Sequence, residues 1–308
     1  MKKMRLSYEN ISIPMDDDFE EMHVGAYTQW TCKGNGAYMA QGPTKKKIPA
    51  GVYNILMDNS SGRYFCQKIH LELDEVLRIP DKIYEEIVDN VISFYDKKEH
   101  FEKLGYNHKR GILLYGNPGN GKSFILNYLI KELLKNDVII FYFPEYVSSF
   151  ERFINDFQQV DPNRKKLVIM EDIDAVMEIH ENKSSLLNML DGVKQFSNIC
   201  FVATTNHPEK LEERIVNRPS RFDKRYLIDE PTSEVRKFYF ERKLPKQYHK
   251  DIDKWVKDTE GLSFSHLREL IISILLFDWD YQKAINNLKG MKEIPKNKTK
   301  TKIGFSND

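Results

Sequence analysis

Gly116-Asn117-Pro118-Gly119-Asn120-Gly121-Lys122-Ser123 has the residue types and spacing best suited to chemistry in this chain. It fits G-x-x-x-x-G-K-[ST], a spacing that cradles phosphate. The glycines let backbone N–H groups turn inward and approach phosphate oxygens closely. Lys122 can place its ammonium on β- and γ-phosphates, and the Ser123 hydroxyl can ligate Mg²⁺. A helix opening at the end of the loop would add its positive N-terminal end. The competing explanation is an ordinary glycine-rich turn. The flanks weigh against it, because Gly111-Ile112-Leu113-Leu114-Tyr115 reads as a buried strand. On the other side Ile125, Leu126, Leu129, Ile130, Leu133 and Leu134 recur at helical spacing, ended by Asn136-Asp137.

A second candidate is Glu171-Asp172-Ile173-Asp174, which follows the apolar run Leu167-Val168-Ile169-Met170. Carboxylates at the carboxyl end of a central parallel strand lie where ligands bind in a doubly wound sheet. A metal–phosphate site needs one carboxylate near Mg²⁺ and a base or water-orienting group beside it. Taken alone, the segment reads equally well as a strand followed by an acidic surface loop. Cys200-Phe201-Val202-Ala203-Thr204-Thr205-Asn206 is a further buried strand with a polar tip. Asn217-Arg218-Pro219-Ser220-Arg221-Phe222-Asp223 then presents two arginines.

The elements that must position these groups follow from the pattern. Strand-like runs at 111–115, 138–143, 167–171, 199–204 and 226–228 alternate with helical ones, which implies a doubly wound α/β domain. Pro80-Asp81 opens a helix with Ile83, Ile87, Val91 and Phe94 on one face, and a short helix holding Phe101 and Leu104 follows. From 232 to about 290 the pattern is wholly helical; its clearest stripe is Leu267, Leu270, Ile271, Ile274 and Leu275, with Ser263 as cap. Segments near 24–32, 36–42, 51–57 and 63–72 are rich in aromatic and β-branched residues and separated by turn clusters. They read as a small β domain without a catalytic constellation, by default a recognition or assembly module. The expected domains are therefore 1–78 (β-rich), 79–230 (α/β core), 231–290 (helical lid) and 291–308 (basic tail).

Bulk properties narrow the function classes. The chain has 308 residues, enough for a large core, and a net charge of +1, which points to no polyanionic partner. No apolar stretch approaches the ~18 residues of a membrane span. Met1-Lys2-Lys3-Met4-Arg5 is not followed by an apolar segment, so no signal peptide is expected. Cys32, Cys66 and Cys200 lack metal-ligand spacing and suggest a reducing cytoplasm. The tail lysines Lys292, Lys296, Lys298, Lys300 and Lys302 read as a solvated basic segment.

In this order the motifs resemble the AAA branch of the AAA+ ATPases, over roughly 80–275, including Gly261-Leu262-Ser263 near the start of the lid helix. That family carries a Walker A loop, a Walker B strand, a sensor asparagine and an arginine-finger segment. Glu171-Asp172-Ile173-Asp174, Leu186-Leu187-Asn188-Met189-Leu190-Asp191-Gly192-Val193 and Thr204-Thr205-Asn206-His207-Pro208-Glu209-Lys210-Leu211 look like the mitochondrial Rieske-protein translocase chaperone subgroup with its soluble bacterial and viral relatives. That chaperone's membrane anchor is not seen here. The resemblance implies a P-loop NTPase fold that binds ATP and Mg²⁺ and hydrolyses ATP. Gly116 to Ser123, with Phe124 after them, would hold the nucleotide: Gly116, Asn117, Pro118, Gly119, Asn120 and Gly121 as loop, Lys122 on the phosphates, Ser123 on Mg²⁺. Most AAA proteins end the Walker B strand in Asp-Glu, whereas this chain reads Glu171-Asp172. By register Glu171 takes the Mg²⁺ side and Asp172 the water-activating place. Asn206 would orient water or contact the γ-phosphate, and Arg218 and Arg221 would act on a neighbouring subunit's nucleotide.

The resemblance further implies a homo-oligomeric ring of about six or seven subunits, a cytoplasmic setting in a bacterium or a virus-infected bacterial cell, and no membrane. It implies a client remodelled by the ATPase cycle, a protein before a nucleic acid. The alternatives are a nucleic-acid remodeller or loader, which the basic tail allows, and an ATP-gated scaffold with little turnover. Two departures limit it. Phe143-Pro144-Glu145-Tyr146-Val147-Ser148-Ser149-Phe150 runs into a helix without the aromatic–hydrophobic–Gly tripeptide of unfoldases; Tyr146 and Phe150 are no more than candidate pore aromatics, with core packing favoured for Phe150, and threading of an unfolded polypeptide is not supported. Phe264-Ser265-His266 stands where many relatives have Gly-Ala-Asp, and His266 reads as a structural or adenine-side contact.

Overall fold

The structure, a computed structural model, describes residues 30–32, 38–40, 47–71, 76–191, 196–211 and 221–291. The chain divides into two units, Met1–Ile48 and Pro49–Asp308. In the first, β1 (Trp30–Cys32) and β2 (Tyr38–Ala40) pair antiparallel, with Trp30 opposite Ala40.

The second unit is built on a seven-stranded sheet. Its strands are β3 (Gly51–Asp58), β4 (Arg63–Ile69), β5 (Lys109–Tyr115), β6 (Ile139–Tyr142), β7 (Lys166–Met170), β8 (Ile199–Thr205) and β9 (Lys224–Leu227), in the order β4-β3-β6-β7-β8-β5-β9. Only β3 and β4 pair antiparallel; the other neighbours are parallel. Every residue of β7 and β8 is buried, as expected of parallel strands covered on both faces. β5 lies between β8 and β9, while the next strand in sequence, β6, lies three places away. This reversal of strand order opens a crevice at the carboxyl ends, where ligands bind in such sheets.

The expected boundary at residue 78 does not match this sheet. β3 pairs parallel with β6, from Gly51 opposite Ile139 to Asn54 opposite Tyr142, so the β3–β4 hairpin extends the α/β sheet. Local alternation and the turn at Asp58–Gly62 specify a hairpin. They do not specify its sheet, because the partner strand lies far away in sequence.

The helices cover both faces. α1 (Lys82–Tyr95) starts where expected, with the Asp81 carboxylate accepting from the Ile83 N–H at 2.8 Å. Its buried face holds Tyr84, Ile87, Val91 and Phe94, while Ile83 is 40% exposed, so the apolar stripe begins one residue later than the spacing suggested. α2 (Lys98–Lys103) and α3 (Lys122–Leu134) follow. α1 and α3 join Ile112, Leu114, Ile140, Ile169 and Val202 in one core. On the opposite face α4 (Val147–Val160) brings Phe153 to Phe141 (5.1 Å between ring centroids) and Phe150 to Phe201 (6.1 Å). α5 (Ile173–Glu178) and α6 (His180–Asp191) lie between β7 and β8 in sequence. The C-terminal part is helical as expected: α7 (Ser233–Lys243), α8 (Ile252–Asp258), α9 (Phe264–Leu275) and α10 (Tyr281–Met291). Among the described residues no helix is long and apolar enough to cross a membrane. The tail lysines and Arg218 lie outside the described residues.

His108, just before β5, is buried and stacked on Phe94 at 4.0 Å, with Nε2 bonded to the Phe94 carbonyl at 2.8 Å. Burial lowers its pKa below the usual value of 6.5, against the opposing effect of that bond. The unfolded chain therefore binds the proton more readily, and the stability held above pH ~6.5 is lost as pH falls through the lower folded value. We expect the urea midpoint to drop between pH 7.5 and 5.5, and His108→Asn to flatten that drop. An unchanged slope in the variant would place the pH dependence elsewhere.

Candidate functional site

β5 delivers the chain to Gly116, and α3 begins at Lys122, so the glycine segment is the strand-to-helix turn at the crevice. The backbone there needs glycine. Gly121 has φ +103°, and a Cβ on it would overlap the Tyr84 hydroxyl and press on the Phe264 ring. Gly119 has φ +80°, and a Cβ would crowd the Ser263 and Ser265 hydroxyls. The loop is thus wedged between α1 and the start of α9, and the Ser265 N–H donates to the Gly119 carbonyl at 3.3 Å.

Lys122 is 7% exposed, and its Nζ donates to the carbonyls of Gly116 (2.6 Å) and Asn117 (3.0 Å). Desolvation lowers its pKa, with the Asp172 charge acting the other way. Asn120 is buried; its Nδ2 donates to the Ile228 carbonyl at 3.3 Å and braces the loop against the end of β9. Phe124 packs on Phe264 with centroids 5.2 Å apart.

The carboxylates arrive from β7. Asp172 caps α5 in a left-handed conformation, φ 47° and ψ 55°. A non-glycine residue in this region carries strain of order 1 kcal/mol. Its N–H donates to Thr204 Oγ1 (3.2 Å), and its Oδ1 accepts from Asn206 Nδ2 (3.2 Å). The Thr205 hydroxyl donates to the buried Asp174 carboxylate at 2.6 Å. The tip of β8 therefore holds the acidic turn with three side chains. Glu171 is exposed to the crevice, yet its pKa is raised, first by desolvation and then by the charge of Asp172.

Pro118, Gly119, Gly121, Lys122, Ser123, Phe124, Glu171, Asp172 and Asn206 line one cavity of about 360 Å³. Gly116, Asn117 and Asn120 support it from behind through the bonds above. Among the described residues no three His, Cys, Asp or Glu side chains converge as a metal cage. Hard oxygen donors from Ser123, Glu171 and Asp172 share the cavity, which fits Mg²⁺ held by few side chains together with phosphate oxygens.

Arg221 is not in this cavity. It is 5% exposed and forks onto Asp191, at the end of α6, with Nε–Oδ1 2.7 Å and Nη2–Oδ2 2.6 Å. Its carbonyl would collide with a Cβ on Gly111, five residues before Gly116, so it lies roughly 16 Å along β5 from its own loop. Lys109 Nζ donates to the Leu190 carbonyl beside the pair. Breaking a buried pair by removing one partner costs about 3–5 kcal/mol. Phe150 is fully buried, as favoured, and Tyr146 is 44% exposed. His266 Nδ1 bonds Ser263 Oγ at 2.6 Å, a structural contact.

The sequence does not single out Arg268, Thr204, Val76, Asn127, Phe264 or Ser265 as cavity residues. Arg268 follows Phe264 by one helical turn, so helical spacing could place it on the Phe264 face. That this face meets the glycine loop is a tertiary fact.

Strand, glycine loop and helix at the switch point of a parallel sheet, with carboxylates on a nearby strand tip, define a P-loop nucleotide-binding α/β protein. Residues 112–230, rather less than half of the chain, match the family described as "ATPase family associated with various cellular activities (AAA)", so this segment is an AAA domain. It is 34% identical over 165 residues to a "Probable mitochondrial chaperone bcs1" from Schizosaccharomyces pombe, covering 50% of this chain and 36% of that one. It is 28% identical over 225 residues to a "Cell division cycle protein 48 homolog" from Archaeoglobus fulgidus, covering 64% and 30%. It is also 28% identical over 211 residues to "ATP-dependent zinc metalloprotease FtsH 1" from Sphaerobacter thermophilus, covering 61% and 31%. The matched region spans about a third of each of these relatives.

Arg268 is exposed to the cavity, so its removal should leave the fold intact. A charge-assisted bond to phosphate is worth ~1.5–3 kcal/mol. We expect Arg268→Ala to weaken ATP binding roughly tenfold or more in calorimetric titration. Affinity within twofold would remove it from the site.

Proposed function

We propose that this chain binds Mg²⁺-ATP in the cavity between the glycine loop and the start of α9, hydrolyses it, and works as a ring that remodels or translocates a protein client. The observation that carries the reading is the convergence of Lys122, Ser123, Glu171, Asp172 and Asn206 on one cavity. Lys122 exchanges its two loop carbonyls for β/γ-phosphate oxygens. Ser123 and Glu171 would hold Mg²⁺, which would supply charge neutralisation on the phosphates. Asp172, steadied by Asn206, orients and deprotonates the attacking water. The bond from Asn206 to Asp172 supports this division of the two carboxylates.

Arg221 lies far from its own loop, which favours action on a neighbour's nucleotide; it reaches there by giving up Asp191, or leaves the contact to Arg218. Action in trans accords with a head-to-tail assembly that closes into a ring, and the count of about six or seven subunits is carried from the family resemblance. The relatives' names, a chaperone and an ATP-dependent protease, support a protein client. A cytoplasmic setting is part of the same proposal.

Asp172→Asn should keep ATP affinity and abolish phosphate release, because the amide keeps the shape and loses the base. If Glu171→Gln gives that phenotype instead while Asp172→Asn loses Mg²⁺ dependence, the roles are reversed.

Arg221→Ala should bind ATP and turn it over at least ~10³-fold more slowly, the range of an arginine finger. Mixed with Lys122→Ala subunits, which supply the arginine, it should regain turnover. ATPase rate against mixing ratio is the measurement. No gain at any ratio, in rings shown by native mass spectrometry to be mixed, would exclude action in trans by this residue.

A further inference from the structure

Asn182, on α6, lies outside the cavity and is 2% exposed. Its carboxamide is nonetheless the junction of three segments. Oδ1 accepts from the Val147 N–H (3.0 Å), while Nδ2 donates to the carbonyls of Glu145 (2.7 Å) and Val176 (3.1 Å). Its orientation is not ambiguous: exchanging oxygen and nitrogen would set donor against donor and acceptor against acceptor at all three contacts.

Each contact answers a local need. The residue at the N-cap of α4 is Tyr146, which makes no side-chain cap, so the first N–H of the helix has no local acceptor. Val176 belongs to the last turn of α5, whose carbonyls have no partner within the helix. One side chain satisfies the start of α4 and the end of α5 together.

α5 begins just after its cap, Asp172, which faces the cavity, and its first turn is tied to β8 through Asp174 and Thr205. It is a single short helix of six residues, about 9 Å long. A shift at its N-terminus is therefore carried to Val176 nearly as a rigid body. At the other end of the junction, the Glu145–Tyr146 segment sits after β6, on the same carboxyl edge of the sheet as the cavity, and exposes the Tyr146 ring.

We propose that Asn182 is a positioning residue that links the nucleotide site to the Glu145–Val147 segment, so that the arrangement of α5 set at Asp172 decides where the Tyr146 ring is held. This rests on the nucleotide reading of the cavity. The lever is α5, the coupling is the three bonds of one carboxamide, and the output is an exposed aromatic on a segment whose main chain is also held by the Phe143 N–H bond to the Ile169 carbonyl at 2.8 Å and by the Tyr146 carbonyl accepting from the Ser149 N–H at 3.1 Å.

The test places an environment-sensitive fluorophore on Tyr146→Cys, with Cys32 and Cys66 replaced by serine and the buried Cys200 retained. With Asn182 intact, emission should differ between the ATP- and ADP-saturated protein. In Asn182→Leu, of similar volume and without polar atoms, the difference should fall to less than a fifth, while ATP affinity stays within about twofold. A purely structural cap predicts the same signal at lower thermal stability, and an undiminished ATP–ADP difference in Asn182→Leu would overturn the proposal.

If Asn182→Leu does not fold, hydrogen exchange on the unsubstituted protein decides. Peptides covering 173–178 and 144–150 should change protection together between ATP and ADP. A response confined to 173–178 would overturn the proposal. Failure of the unsubstituted protein to bind either nucleotide would instead overturn the reading of the cavity.

Discussion

The close seating of the glycine loop against two other elements is the constraint on which the rest depends. Gly119 and Gly121 adopt positive φ angles and leave no room for a Cβ beside Ser263, Ser265, Phe264 and Tyr84. One turn of backbone thus fixes β5, α1 and the start of α9 relative to one another. The cavity exists because these three meet there, and its far wall is supplied by the tips of β7 and β8. A ligand that pushes on the loop must also push on α9. The C-terminal helices therefore form part of the site itself.

The acidic turn shows a second way of holding chemistry in place. Asp172 sits in a strained left-handed conformation, and the strain is offset by bonds from Thr204 and Asn206, with Thr205 holding Asp174 next to it. Polar residues at the end of a fully buried strand would be costly without partners. Here the polar tip of β8 and the acidic tip of β7 satisfy each other. This leaves the Asp172 carboxylate positioned and Glu171 raised in pKa by desolvation and by its neighbour. A cation between the phosphates and this turn would relieve that repulsion.

The two ends of the sheet have different tasks. At the carboxyl edge lie the loop, the acidic turn and Tyr146; at the opposite end Arg221 is clamped by Asp191 next to Lys109 and Gly111. An arginine this far from the glycine loop does not line the cavity of its own chain. Its burial in a bidentate pair with Asp191 gives it a defined direction.

Local pattern determined much of this protein without help from the fold. The glycine spacing from Gly116 to Ser123, the buried run before Glu171 and the polar tip at Asn206 were legible because strand, loop and helix are set by contacts within a few residues. So were the Asp81 cap and the helical C-terminal part. Tertiary structure alone decided which sheet the β3–β4 hairpin joins, that Arg221 turns onto Asp191, that Arg268 faces the loop, and that Asn182 bridges α4 and α5. Each of these joins residues distant in sequence, and neither periodicity nor composition carries that information, because the partner of a strand edge, a guanidinium or a carboxamide is chosen by the packing of the whole sheet.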